Sequence, residues 1–240
     1  MQGYTRRQLK EDRFVETAQG AAEWTAAHRK PVIASAVALI VVVAGTLGFI
    51  AWRTRQNQAA NVALGAALRV FNGPLRSANA PVTPDNKDEF TSAAERAKSA
   101  EKQFKSVADQ YSHTDAGHIA LYLSGVAAIQ AGDNAGAEQQ LKAAADSGDK
   151  NIAALAKMAL ANHYRADNKL ADATRIYKDL ADHPTVTVSK AAAQLAMAEM
   201  YETTDPKEAV TIYQQIQKED PDSPAGQTAA AKLKAQNAPQ

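Results

Sequence analysis

The chain has 240 residues, with 27 lysines and arginines against 26 aspartates and glutamates, and it contains no cysteine. The absence of cysteine excludes disulfide scaffolds, Cys-ligated zinc, iron–sulfur clusters and thiol nucleophiles. A net charge of +1 is far from the large positive charge that is usual in a protein that coats nucleic acid. Alanine, the best helix former, is the most frequent residue. The composition therefore predicts an all-α protein of closely packed helices.

The first 30 residues form a charged arm with six basic and four acidic residues. Its apolar residues, Leu9, Phe14, Val15 and Trp24, keep helical spacing only in part. We interpret residues 1–30 as a cytoplasmic amphipathic arm that lies near the lipid headgroups. A solvated arm without membrane contact is the alternative interpretation.

A long apolar segment follows the arm. From Val32 to Trp52 there is no charged residue, and a helix of this length spans a hydrocarbon core of about 30 Å. The sequence therefore predicts one transmembrane helix over residues 31–53. A cleavable signal peptide fits less well, because its apolar core is shorter and ends in a small-residue cleavage site. The short basic arm favours a cytoplasmic N-terminus, with the rest of the chain on the other side of the membrane.

Residues 54–87 are interpreted as a juxtamembrane helix followed by an irregular linker. Apolar residues continue among alanines as far as Phe71, and Gly73 and Pro74 then end the helix. Two further prolines, Pro81 and Pro84, mark the linker.

A repeat with a period of about 36 residues occupies the predicted domain at residues 88–236. Four segments each carry a small residue, a large apolar residue four positions later and another apolar residue three positions after that. This spacing places each trio on one face of a helix. Helical hairpins that bury one face against their neighbours form a stacked array. The twelve trio positions are Ala100, Phe104, Val107, Ala137, Leu141, Ala144, Ala173, Tyr177, Leu180, Ala209, Tyr213 and Ile216.

The best copy of the pattern resembles the tetratricopeptide repeat. It runs through Leu160, Ala161 and Tyr164 on a first helix, then through the trio at Ala173 and on to Pro184. The period is slightly longer than usual and the repeat tryptophan is missing, so the copies are degenerate. The resemblance implies a curved array whose first helices line a groove for partner segments. The groove positions that it implies are Ile119, Tyr122, Val126, Leu155, Met158, Asn162, Arg165, Leu195 and Glu199.

Two readings of that strip stay open. An apolar strip with a polar end suits an unfolded or amphipathic segment of another protein. In the other reading, the same side chains pack against the linker helix or the C-terminal helix and close the core. Asp222–Lys234 is predicted to form a final solvating helix, and residues 237–240 a disordered tail.

The layout of the whole chain is similar to the YfgM-type ancillary subunits of the SecYEG translocon. A charged arm that opens at Thr5–Asp12 precedes one span and a divergent repeat domain. The resemblance implies a single-pass protein of the bacterial inner membrane with a periplasmic repeat domain. It also implies a role beside translocon subunits and periplasmic chaperones in handling exported chains. The alternative function is a structural scaffold for an envelope complex, in outer-membrane assembly or cell division, that meets no unfolded clients.

The sequence offers no catalytic motif. It contains no glycine-rich phosphate loop, no G-x-S-x-G elbow and no H-E-x-x-H pair. A weak metal site at His113 and His118, beside Asp109 and Asp115, is the alternative to a solvated helix end. We expect no enzyme activity, no cofactor, no metal and no nucleic-acid partner. The sequence leaves the oligomeric state open.

Overall fold

The computed structural model describes residues 28–77 and 89–236, and every regular element in these two ranges is an α-helix. This confirms the predicted all-α class. Residues 1–27 of the predicted arm, residues 78–88 of the predicted linker and the tail at 237–240 lie outside the described residues. The described helices are α1 (Arg29–Phe71), α2 (Ala93–Gln110), α3 (Asp115–Ala131), α4 (Asn134–Ala145), α5 (Lys150–Ala166), α6 (Leu170–Asp182), α7 (Lys190–Thr204), α8 (Pro206–Glu219) and α9 (Pro224–Gln236).

Helix α1 is long and apolar enough to cross a membrane. Its large apolar side chains are exposed on every face of the predicted span, with Leu39 and Val42 both 64% exposed. The hydroxyl of Thr46 donates to the carbonyl of Val42 at 2.7 Å, so this polar group is satisfied within the helix. A helix without an internal partner for so much apolar surface is typical of a membrane span.

The chain divides into two compact units, with the boundary between Arg55 and Gln56. In the second unit, the end of α1 supplies Ala60, Leu64 and Ala67 to a core that also contains Phe104 of α2. The packed unit therefore includes a helix end that the sequence assigned to the juxtamembrane region.

All twelve trio positions are buried, which confirms the repeat interpretation. The trios belong to α2, α4, α6 and α8, the second helices of successive hairpins. In three of these hairpins the first helix holds a buried small residue at a matching position. At Gly125 of α3, an added Cβ would lie 2.6 Å from Cγ of Leu141. Ala161 and Ala198 hold the matching positions on α5 and α7, and both are fully buried.

The turns inside the hairpins end the first helix and cap the second. Gly132 ends α3 with φ of 82°, and its backbone N–H donates to the last carbonyls of that helix. Asn168 has φ of 59° at the equivalent turn after α5, a conformation that asparagine tolerates better than most residues. Asp133 and Asp205 then cap the second helices through their carboxylates.

A charged cluster ties the second and third hairpins together. The carboxylate of Glu138 accepts hydrogen bonds from Lys142 Nζ at 2.6 Å and Lys169 Nζ at 3.1 Å. It also accepts from the hydroxyl of Tyr164 at 2.9 Å. These three donors lower the pKa of Glu138 from 4.5 to about 2. Folding therefore favours the charged form of this carboxyl.

Replacing Glu138 with glutamine is expected to lower the free energy of unfolding at neutral pH by no more than about 1 kcal/mol, because solvent screens a cluster near the surface. The pKa is lowered on folding, so this contribution is present above its unfolded value of 4.5 and is lost toward about 2. Urea unfolding of both proteins at pH values of about 7 and about 3 measures the change. A difference that stays constant between these pH values would contradict the assignment.

Candidate functional site

The first helices of the hairpins form the inner layer of the array. Cα atoms of α3 approach those of α5 within 8 Å, and the same holds for α5 with α7 and for α7 with α9. Within the described residues no such approach joins α4 to α6 or α6 to α8. Closer spacing in one layer than in the other bends a stack of hairpins, with the closer layer inside the curve. Helices α3, α5 and α7 therefore line the concave side.

All nine groove positions implied by the resemblance lie on these three inner helices. None of them is buried: the side chain of Asn162 is exposed, and the other eight are partly exposed. The described helices thus leave part of each side chain uncovered. Whether a partner binds there stays a prediction.

The apolar part of the strip comes from Ile119, Tyr122 and Val126 on α3, Leu155 and Met158 on α5, and Leu195 on α7. Tyr122, Met158 and Leu195 pack at their bases against the same buried cluster, so the core limits their movement. Burial raises the pKa of the Tyr122 hydroxyl above its ordinary value. A row of half-buried apolar side chains that is held in place by the core can bind apolar side chains of another protein.

The polar part of the strip lies toward the C-terminal ends of α5 and α7. The guanidinium of Arg165 meets the carboxylate of Glu199 at 3.7 Å and so joins the two inner helices. The hydroxyl of Tyr177 donates to Oδ1 of Asn162 at 2.6 Å. Burial raises the pKa of Tyr177 to about 12, so the hydroxyl keeps its proton for this bond. These groups are already paired with one another before any partner arrives.

The structure adds Glu202 of α7 to the polar part, a residue that the sequence analysis missed. Its carboxylate accepts from the hydroxyl of Tyr213 at 3.0 Å and lies 3.0 Å from Nζ of Lys232 on α9. The signal was present in the repeat itself. The middle residue of the trio is tyrosine at 177 and 213 but Phe104 and Leu141 in the two earlier copies. Only tyrosine has a hydroxyl there, and this hydroxyl reaches a side chain on the first helix of the same hairpin.

The described residues contain no group of three or more histidine, aspartate or glutamate side chains placed to hold a metal ion. His113 and His118, with the nearby Asp109 and Asp115, are within the described part and belong to no such group. Buried His163 has its Nε2 3.6 Å from a carboxylate oxygen of Asp167, the residue that follows the C-terminal end of α5.

Comparison with protein families agrees with this architecture. The family model described as a tetratricopeptide repeat-like domain matches residues 23–184, about two-thirds of the chain, and so covers α1 to α6. Neither a comparison with curated proteins nor one with solved structures found a match. Arrays of this fold are protein-interaction scaffolds. The chain therefore belongs to the tetratricopeptide repeat-like domain family.

Proposed function

We propose that the protein is a membrane-anchored protein-interaction module that assists exported proteins near the Sec translocon, together with periplasmic chaperones. The observation that carries the proposal is the strip of half-exposed apolar side chains on the inner helices. It belongs to a chain whose first described helix is apolar enough to cross a membrane. The similarity of the chain's layout to translocon-associated proteins supports the assignment to the export pathway.

The proposed topology places the arm at residues 1–30 in the cytoplasm and the span at residues 31–53 in the bacterial inner membrane. Residues 54–87 and the repeat domain at 88–236 lie in the periplasm. The short basic arm supports this orientation, because basic residues are retained on the cytoplasmic side. A reporter that is active only in the periplasm, fused after Gln240, tests the orientation. Activity supports the proposal, and an inactive reporter places the repeats in the cytoplasm and contradicts it.

The inner strip supports the choice of an unfolded client. Ile119, Tyr122, Leu155 and Met158 present apolar surface on two neighbouring helices. Such a surface gains free energy from many sequences, since burial of apolar area is not directional. An exported chain that has not yet folded offers extended apolar segments of this kind.

A scaffold for a folded envelope complex is the second candidate. The observation that favours it is the internal pairing of Arg165 with Glu199 and of Tyr177 with Asn162. Groups that are paired in advance form a fixed polar surface, and a fixed surface suits a folded partner of matching shape.

Purification of the full-length protein from its native membranes in a gentle detergent separates the two candidates. A matched protein, in which Val32–Trp52 is replaced by an unrelated apolar span, serves as the control. We expect translocon subunits and periplasmic chaperones to co-purify with the native protein. Their loss from the control would assign that contact to the membrane helix. Recovery of outer-membrane assembly or division proteins instead would contradict the export role and favour the scaffold.

A further inference from the structure

A second concave site lies on one rim of the array, away from the inner strip. It is a cleft of about 820 Å³ at the N-terminal ends of α5 and α7 and the C-terminal end of α8. Its wall is formed by the connection between α6 and α7, residues 183–189. The other connections between described hairpins, at residues 111–114, 146–149 and 220–223, are shorter.

The long connection is an ordered loop that presents one apolar side chain. The backbone N–H of Thr185 donates to the carbonyl of Val188 at 2.9 Å, and the hydroxyl of Thr187 donates to the carbonyl of Asn151 at 2.8 Å. The loop is thereby closed on itself and tied to α5. Val186 at its tip is 96% exposed beside the cleft. The loop therefore holds Val186 in a fixed position beside the cleft, where it can contact the apolar part of a ligand.

Gln194 supplies the polar group of the cleft. Its side chain is only 7% exposed and lines the cavity, yet its amide has no hydrogen-bond partner among the described residues. The amide is not among the fully buried polar atoms that lack a partner, so it reaches the open space of the cleft, where a ligand can bond to it. The amide offers one acceptor and two donor hydrogens, which match the N–H and C=O of a peptide backbone.

Unpaired charges stand on opposite sides of α7. Lys150 begins α5 on one side, and Asp220 follows α8 on the other. Both residues line the cleft, and neither has an ion-pair partner among the described residues. The neighbouring Lys190, by contrast, is paired with Glu219 at 2.8 Å. The free charges complement an acidic group at one end of a ligand and a basic group at the other.

We propose that this cleft binds an extended polypeptide segment in which a short apolar stretch stands between an acidic and a basic residue. The apolar side chains lie between Val186 and the floor at Ile216. The backbone of the segment bonds to the amide of Gln194. Its acidic residue lies near Lys150 and its basic residue near Asp220. The site is separate from the inner strip, and it stands whether or not the inner strip binds exported chains.

The probe is a fluorescein-labelled, end-capped peptide, Gly-Ser-Asp-Val-Leu-Val-Lys-Gly-Ser, titrated onto the full-length protein in lipid nanodiscs and followed by fluorescence anisotropy. Val186→Asp is expected to weaken binding by about tenfold or more, because it puts a charge into the apolar contact. Val62→Asp is the matched control, since Val62 is also highly exposed, at 72%. We expect this control to bind as the unaltered protein does.

A double-mutant cycle tests the bond to Gln194. Gln194→Met, which keeps the volume and removes the amide, is expected to weaken binding by about tenfold. N-methylation of each of the three central peptide residues in turn removes one backbone donor. One of these peptides should bind the unaltered protein more weakly and should show no further loss on the Gln194→Met variant.

Charge reversal tests the two ends of the cleft without assuming a peptide direction. Lys150→Glu should prefer a peptide with lysine at both ends, and Asp220→Lys should prefer one with aspartate at both ends. Tyr122→Asp with Met158→Asp should leave binding of this peptide unchanged. The proposal is overturned by any of three results: no peptide binding to the unaltered protein, binding that is insensitive to Val186→Asp and Gln194→Met, or equal loss in Val62→Asp.

Discussion

A protein in which Tyr122 and Met158 are both replaced by aspartate is expected to lose its binding of unfolded polypeptide by at least about a hundredfold. Both side chains are half-buried in the centre of the apolar strip on neighbouring inner helices. A carboxylate at each position must be desolvated when an apolar segment binds over it. Anisotropy titration of the protein in nanodiscs with labelled, reduced and carboxymethylated α-lactalbumin measures the loss.

The matched control replaces Leu170 and Ile176 of α6 with aspartate. These residues are also partly buried and pack against the same central cluster, but they belong to an outer helix. Any loss of stability caused by two new carboxylates is therefore shared by both proteins, whereas the loss of binding is confined to the inner pair. Equal loss in both proteins, or unchanged binding in the inner variant, would contradict the assignment of the concave side and favour the scaffold.

Replacing Phe104 with alanine is expected to lower the free energy of unfolding by about 3–5 kcal/mol. The ring is fully buried on α2 and meets the ring of Phe71 edge to face, with centroids 5.7 Å apart. Its loss leaves a cavity between α2 and the end of α1, where the small neighbours Ala60 and Ala67 cannot fill the space. Urea unfolding followed by far-ultraviolet circular dichroism measures the change.

In a repeat array each hairpin is stabilised by contacts with its neighbours only. In the Phe104→Ala protein, the first hairpin should therefore unfold at a lower urea concentration than the rest. Lys105→Ala, an exposed change on the same helix, should alter the free energy of unfolding by no more than about 0.5 kcal/mol. A single transition at the same urea concentration as in the unaltered protein would contradict the packing of Phe104 against the end of α1.

The repeat pattern was the part of the fold that could best be predicted from the sequence, because the packing constraints on it recur at regular intervals. Each trio, such as Ala173, Tyr177 and Leu180, must lie on one helix face, and each copy must fit a small residue on the preceding helix. Both constraints are periodic in sequence. The pairing of Leu141 with the position of Gly125 follows the same rule, because a larger residue would overlap the leucine.

The first core layer was not predictable in the same way. The end of α1 packs through Ala60, Leu64 and Ala67, which have the same spacing of four and three residues as the trios but are separated from α2 by residues of the predicted linker. The sequence therefore indicated a helix there but not its partner. Packing between distant segments depends on geometry that local periodicity does not contain.

The polar contacts could not be predicted from the sequence for a similar reason. The bond from Tyr177 to Asn162 and the burial of Gln194 beside Val186 depend on how far each helix is shifted along its neighbour. A shift of one turn, about 5 Å, would separate these groups without changing the hydrophobic pattern. Sequence reasoning placed Asn162 and Arg165 on the inner side of the array, and the structure shows which groups they meet.

Site-specific photo-crosslinking in native membranes tests whether the inner helices contact exported chains in the periplasm. A photoreactive phenylalanine at Val126, on the inner helix α3, is compared with the same residue at Lys178, which is exposed on the outer helix α6. We expect crosslinks from position 126 to newly exported polypeptides and none from position 178. Crosslinks that are equal at both positions, or that join position 126 only to folded envelope proteins, would contradict it.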